Sequence, residues 1–373
     1  MTTIIRSLIV KVAERCNLNC SYCYMYNLGD QSYLARPKFM SGGIYTAMLQ
    51  RIGEYCAKKD RDPIDLTFHG GEPLLIGKKR FEAMVIQARE TLGDALASIQ
   101  VQTNATLIDH EWARLFYDLG IAVGVSMDGP EDVHDSERVD HQGRGSHAKV
   151  LQGLEHLQKY DLASYVLCVV NPRHSGLSAY RHFRDLGIDN INFLLPDINL
   201  DTRDTWYGDC GETPVANYLI PIFDAWFSED DPNVRLKIFR QLIGKILGRN
   251  VYGTDSFGNP PIRYLIIESD GTIQPLDVLR ACDPGLIDTK LNIAQHGFDD
   301  LHLGPKQFHE LYENGSPPCQ TCQACPEFNI CGGGYLPHRF SKANGFDNPS
   351  AWCEDIKAIV SHIRERLGVA VAV

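Results

Sequence analysis

Long apolar runs are missing from this sequence: no stretch approaches the roughly 20 residues that a membrane-spanning helix needs, so no membrane partner is expected. A secretory signal is missing too. The short apolar stretch from Leu8 to Val12 runs straight into Glu14 and Arg15, with no small-residue cleavage site behind it. Positive charge is scarce. The formal charge of −11 leaves no basic stripe to displace counterions from a nucleic acid, so no nucleic-acid partner is expected either. The sequence shows no internal repeat and no low-complexity segment. What remains is ordinary: 373 residues, 44% hydrophobic and 22% charged, suit a globular enzyme with a substantial core.

Cysteine is what the chain has in quantity. Its 12 cysteines crowd mostly toward the two ends, and with no signal for export they read as reduced, metal-bound thiols in the cytoplasm. Cys16, Cys20 and Cys23 follow directly on a strand-like run, Ser7 to Ala13. Three thiolates this close can wrap one corner of an iron–sulfur cubane and leave its fourth iron open to a small molecule. A zinc site would pair such cysteines with further Cys or His about 12–20 residues on, and none follows Cys23 there.

From Ser7 to Pro196 strand-like and helix-like segments alternate. The strands are expected at Ser7–Ala13, Ile64–His69, Ile99–Thr103, Ala122–Met127, Tyr165–Asn171 and Asn190–Leu195. Amphipathic stretches lie between them, around Ile44–Cys56, Arg80–Thr91, His110–Leu119, His147–Tyr160 and Leu177–Leu186. Six β/α units imply parallel strands with right-handed crossovers, an α/β fold forming a partial (β/α)6 barrel. The unusual residues gather at the carboxyl ends of the strands, where barrel enzymes carry their chemistry. Residues 1–196 are expected to be this barrel and 197–261 a bridging region with helices near Val215–Phe227 and Val234–Leu247. Loops at Ser228–Pro232 and Gly253–Pro261 bracket those helices. Residues 262–373 open on a hairpin, Tyr264–Glu268 and Thr272–Pro275 around Asp270-Gly271. They then pass into a cysteine-rich segment and a terminal helix.

With Tyr22 inside it, Cys16-x3-Cys20-x-Tyr22-Cys23 resembles the signature of the radical S-adenosylmethionine (SAM) enzymes. Gly70-Gly71-Glu72-Pro73 is similar to that family's GGEP segment, whose backbone and carboxylate meet the methionine amino group of SAM. Gln102-Thr103-Asn104 and the Ser126 to Pro130 segment, with Asp128, resemble the parts that hold the ribose and the methionine carboxylate. His134, Asp135 and Arg138 resemble a motif of peptide-modifying members, for which a solvated loop is the competing reading.

The carboxy-terminal cysteines resemble a SPASM domain. Cys322, Cys325, Cys331 and Cys353 match the ligands of its outer auxiliary [4Fe-4S] cluster. Two cysteines of the inner auxiliary cluster are replaced, by Leu276 and Tyr335, so that second cluster is not expected unless Cys282 and Cys319 help build it. The run from Cys331 to Phe340, then Asn344 to Ser350 and Trp352 to Ile356, looks like the cyclophane-forming (triceptide) FxsB- and GrrM-like maturases.

That resemblance implies a SAM-binding cluster that makes a 5′-deoxyadenosyl radical. It implies a carbon–carbon bond between an aromatic ring and the β-carbon of a nearby residue in a ribosomal precursor peptide. Asp277 is the expected base for the ring proton, the auxiliary cluster the electron acceptor, and a flavodoxin- or ferredoxin-like protein the external donor. Thioether formation or Ser/Cys side-chain oxidation is the alternative reaction; an iron–sulfur electron carrier is the alternative of another class. Only 15 residues precede Cys16 and 20 follow Cys353, so peptide recognition is expected within the core. The edge of the hairpin is the expected docking strand.

Overall fold

The computed structural model describes residues 4–58, 61–249 and 257–369. Residues 253–256 of the expected bridging loop lie outside the described residues. In chain order the main elements are β1 (Ser7–Ala13), α1 (Gly42–Cys56), β2 (Ile64–Gly70), α2 (Lys78–Leu92), β3 (Leu96–Thr103), α3 (His110–Asp118) and β4 (Ala122–Ser126). Then come α4 (Glu131–Glu137), α5 (His147–Gln158), β5 (Ala163–Val169), α6 (Gly176–Asp185) and β6 (Asn190–Leu194). After these follow α7 (Arg203–Tyr207), α8 (Pro214–Glu229), β7 (Arg235–Leu236), α9 (Lys237–Ile246), β8 (Tyr264–Ile267) and β9 (Ile273–Gln274). Two compact units interleave along the chain: residues 1–126, 135–164 and 261–314 make the first; 127–134, 165–260 and 315–373 make the second.

In the first unit the strands run in the order β4-β3-β2-β1-β8-β9. Every neighbouring pair is parallel except β8 and β9. Strands covered on both faces read as continuous apolar runs rather than alternating ones, and β1 is buried from Val10 to Ala13. Val10 sits opposite Phe68 of β2 and Ile267 of β8. α1 lays Tyr45, Met48, Leu49 and Ile52 on the sheet, the i, i+3, i+4, i+7 spacing of a helix face. Its amino end is capped by Ser41, whose side chain accepts from the Ile44 N–H. Phe81 of α2 meets the rings of Phe68, Trp112 and Phe116 at 5.4–5.5 Å and about edge-on, locking α2 and α3 over the sheet.

The hairpin forms as expected, with the Gly271 N–H donating to the Glu268 carbonyl across the turn. Its edge, however, is not free. The Ile273 N–H donates to the Leu291 carbonyl at 3.0 Å, and the Thr289 hydroxyl donates to the Ile273 carbonyl. Ile273 and Gln274 are fully buried. A buried strand edge has to pair its polar backbone groups, and residues 289–293 do this for β9. The expectation of a peptide adding to this edge is therefore corrected.

In the second unit β5, β6 and β7 are parallel neighbours. The chain expected to be helical from Val234 first adds the two-residue β7 beside β6, with the Arg235 N–H on the Asp189 carbonyl, and turns helical only at Lys237. The Asp355 carboxylate of the terminal helix Cys353–Leu367 accepts from the Val215 and Ala216 N–H groups at 2.7 and 2.9 Å, capping α8. Among the described residues no helix is long and apolar enough to cross a membrane.

Candidate active site

The loop after β1 carries Cys16, Cys20 and Cys23. A turn closes it at Cys23, whose carbonyl accepts from the Tyr26 and Asn27 N–H groups. The Leu18 N–H points at Cys16 Sγ at 3.4 Å, and the Asn104 side-chain amide approaches the same sulfur at 3.7 Å. Among the described residues no disulfide joins any of the 12 cysteines. Burial, then the Glu72 carboxylate, raises the Cys16 thiol above its ordinary range; burial, then Cys20, pushes Cys23 up to about 11. Tyr22 lies under the Arg138 guanidinium, 5.5 Å from its ring.

The segment after β2 is strapped to this loop. The Gly71 N–H donates to the Ala13 carbonyl at 2.8 Å and the Glu72 N–H to the Arg15 carbonyl at 2.9 Å. A Cβ on Gly70 would collide with the Ala13 carbonyl, and one on Gly71 with the Tyr26 hydroxyl and the Arg15 carbonyl. Only glycine allows this approach. Pro73 starts the short turn that follows.

Glu72 is fully buried and faces inward. Its carboxylate accepts from the Leu74 N–H at 3.0 Å, the Thr103 hydroxyl at 2.8 Å and the Asn104 N–H at 2.8 Å. Burial outweighs these bonds and raises its carboxyl to about 7. Glu72 thus fixes the ends of β2 and β3 together. Asn104 in turn donates to Asn17 at 2.9 Å and accepts from the Thr106 hydroxyl at 2.7 Å. Gln102 donates to the Ser126 hydroxyl at 2.9 Å, while its Oε1 is buried without a partner. An orphaned buried acceptor at the end of β3, two residues from the Asn104 amide that approaches Cys16, suits a polar ligand held near an iron–sulfur cluster.

Asp128 lies in the second unit, where its carboxylate accepts from the Val169 N–H at 2.9 Å. His134 accepts from the Asp128 N–H at 3.3 Å. Asp135 accepts from Ser146 and His147 N–H groups, both at 2.8 Å, at the start of α5.

Asp277 follows β9 on a turn held by the Arg280 Nε, which donates to the Asp277 carbonyl at 2.8 Å. Arg280 is itself fully buried between Glu268 at 2.5 Å and Asp30 at 3.3 Å. The Asp277 carboxylate forms an ion pair with Lys11 at 2.5 Å and accepts from the Tyr24 hydroxyl at 2.9 Å. Burial alone would raise this carboxyl; Lys11, then Arg280, outweigh it and hold it down to about 2. His69 stands 3.2 Å from the Lys11 ammonium, and burial, then that cation, keeps it neutral with a pKa of about 3. Lys11, Tyr24 and His69 escaped the sequence reading. The signal for Lys11 was there: one charge inside the apolar strand SLIVKVA.

In the second unit Cys322, Cys325, Cys331 and Cys353 line a single recess with Gly333 and Ser350. Among the described residues no three His, Cys, Asp or Glu side chains form a group suited to a metal ion. A cubane spreads its four thiolates over four irons, and four free thiols around one recess fit that wider spacing. Burial pushes Cys322 up to about 12 and Cys331 to about 11. Cys319 is buried and caps a short turn, accepting from the Cys322 N–H at 3.4 Å. Cys282 ends the turn Asp277–Ala281 in the other unit.

Comparison with known proteins fits this geometry. The Radical SAM superfamily matches residues 10–176. A serine-type anaerobic sulfatase-maturating enzyme of Klebsiella pneumoniae is 30% identical over 359 residues, covering 90% of this chain and 83% of that one. The chain belongs to the radical SAM family of the anaerobic sulfatase-maturating enzymes. The cysteine-type enzyme of Clostridium perfringens is 27% identical over 377 residues, 97% of each chain. The structure titled native anSMEcpe with bound AdoMet superposes with a TM-score of 0.80 at 25% identity, covering 97% of each chain. The same protein with AdoMet and a Kp18Cys peptide also gives 0.80. This radical SAM enzyme therefore has the expected α/β fold with a parallel sheet and a cysteine-rich carboxy-terminal region.

Proposed function

We propose that this enzyme matures a ribosomally made peptide by joining an aromatic ring carbon to the β-carbon of a nearby residue. The observation that carries the reading is the Lys11–Asp277 ion pair, with Asp277 as the base. A carboxylate held down to about 2 is a weak base. It is ionised at working pH and so available to accept the proton of an oxidised ring carbon. The carboxy-terminal resemblance, from Cys331 to Ile356, points the same way.

Cys16, Cys20 and Cys23 would hold one [4Fe-4S] cluster, which when bound supplies the electron that cleaves SAM to methionine and a 5′-deoxyadenosyl radical. The glycines at 70 and 71, with Pro73, Gln102, Asn104 and Ser126, form the first unit's part of the SAM pocket in this reading; Glu72 and Thr103 hold its walls. Tyr22, beneath Arg138, shields the cluster loop. The radical takes a hydrogen atom from the substrate β-carbon, which needs near contact between the two carbons. The carbon radical adds to the ring. One proton would leave to Asp277, and a cluster held by Cys322, Cys325, Cys331 and Cys353 would supply the acceptor for one electron, so that the peptide loses two hydrogens in all. A flavodoxin- or ferredoxin-like protein is the proposed donor.

The relatives favour a second reading, in which the same radical leads to oxidation of a Cys or Ser side chain. Mass spectrometry of precursor peptide after turnover separates the two. A cross-link suppresses backbone fragments inside the ring and gives no carbonyl for a hydrazide to capture. Capture by hydrazide, with full fragmentation, would establish the oxidation instead.

A further inference from the structure

The Arg339 guanidinium has no counter-charge of the ordinary kind. It is 1% exposed, on the turn Leu336–Arg339. Nε donates to the Asn348 carbonyl at 3.1 Å, and Nη2 donates to the carbonyls of Pro317 and Phe346, each at 2.7 Å. All three partners are neutral. Among the described residues no ion pair involves Arg339, and its Nη1 is buried with no acceptor. A buried cation without a compensating anion is strongly disfavoured.

The free end of this side chain and the Cys322 sulfur both border Gly333. A methyl group placed on Gly333 would lie 3.6 Å from Arg339 Nη1 and 3.8 Å from Cys322 Sγ, so both atoms border one small gap that the glycine leaves open. Burial disfavours the Arg339 cation, and the Cys319 and Cys322 sulfurs, the Asp347 carboxylate and the Cys331 sulfur are the groups that would offset this when they carry negative charge. Cys322 and Cys331 belong to the four that line the recess.

We propose that Arg339 is the counter-charge and hydrogen-bond donor of the auxiliary cluster, directed at the Cys322 sulfur, and that it raises that cluster's reduction potential. The inference rests on the auxiliary-cluster reading above. Hydrogen bonds to cluster sulfurs and local charge are the protein's main levers on such potentials. A fixed cation favours the cluster form carrying one more electron. That bias is what an acceptor for a substrate-derived electron needs. It also accounts for the unpartnered Nη1, which no acceptor of the polypeptide satisfies.

The test is a potentiometric titration of the reconstituted full-length holoenzyme, read by electron paramagnetic resonance. The auxiliary signal is identified as the one that survives in Cys16→Ala/Cys20→Ala/Cys23→Ala. Arg339→Gln should shift its midpoint to more negative potential and leave that of the SAM cluster in place; Arg339→Lys should fall between Gln and wild type. Cys319→Ala should not move it. An unchanged midpoint in Arg339→Gln, with the auxiliary signal intact, would overturn the inference, as would a shift in Cys319→Ala as large as that in Arg339→Gln. If Arg339→Gln loses the cluster, wild-type enzyme labelled with guanidino-15N arginine decides. A 15N coupling to the reduced auxiliary cluster is expected, and its absence overturns the inference. A wild-type enzyme with no second cluster signal would instead remove the auxiliary-cluster reading on which this one stands.

Discussion

The two cysteine sets differ in number, and they differ in what faces them. Cys16, Cys20 and Cys23 leave one position of a cubane open, and the charged group acting most strongly on Cys16 is the buried Glu72 carboxylate. Cys322, Cys325, Cys331 and Cys353 can close a cubane completely, and they have the Arg339 cation beside them. Burial pushes Cys16 and Cys23 of the first set and Cys322, Cys331 and Cys353 of the second toward the protonated thiol, so binding iron has to displace protons at either site. Negative surroundings disfavour adding an electron and positive ones favour it. In the proposed reading, two sets made of the same residue take opposite tasks, one delivering an electron to SAM and one collecting an electron from the product.

The largest break of this asymmetry is removal of the first set. Cys16→Ala/Cys20→Ala/Cys23→Ala should abolish SAM cleavage and remove about half of the roughly eight irons that two cubanes hold. Iron analysis and 5′-deoxyadenosine chromatography check it, and a variant that still cleaves SAM refutes the assignment. A smaller effect is expected downstream of the radical. Asp277→Asn should keep making 5′-deoxyadenosine while modified peptide falls by roughly 100-fold, the scale of a lost general base. Loss of both products would make Asp277 structural.

Smaller again is the effect of Lys11→Met. The wild-type Asp277 carboxyl, held down to about 2, is ionised at every working pH, so its titration leaves product yield unchanged from pH 6 to 9. His69, at about 3, stays neutral over the same range. Without Lys11 burial raises Asp277, so the base is progressively protonated as pH falls. Product per 5′-deoxyadenosine should then drop toward acid, by up to about 10-fold per pH unit below the new value. A flat profile in Lys11→Met would show that the ion pair does not set the base.

Much of the frame could be read from local pattern. β1 begins and ends where its apolar run does, and α1 and α3 start at the capping residues Ser41 and Asp109. The cysteines and the glycine pair at 70 and 71 announce themselves by type and spacing. What could not be read depends on partners distant in sequence. That β8 would lie beside β1, and that residues 289–293 would cover β9, is set by tertiary pairing with no local signature. Glu72 was expected at the SAM methionine end, and its bonds to Thr103 and Asn104, 31 and 32 residues away, have no local signature. Lys11 stood out as the one charge in an apolar strand, but its partner Asp277, far along the chain, had no local signature.

The asymmetry itself is tested most directly by the relative potentials of the two clusters in one protein. Reconstituted wild-type enzyme, titrated by electron paramagnetic resonance with its iron counted, should show about eight irons and two resolved midpoints. The higher midpoint should belong to the cluster that survives loss of Cys16, Cys20 and Cys23. A count near four or near twelve, or a higher midpoint on the Cys16 set, would contradict the account.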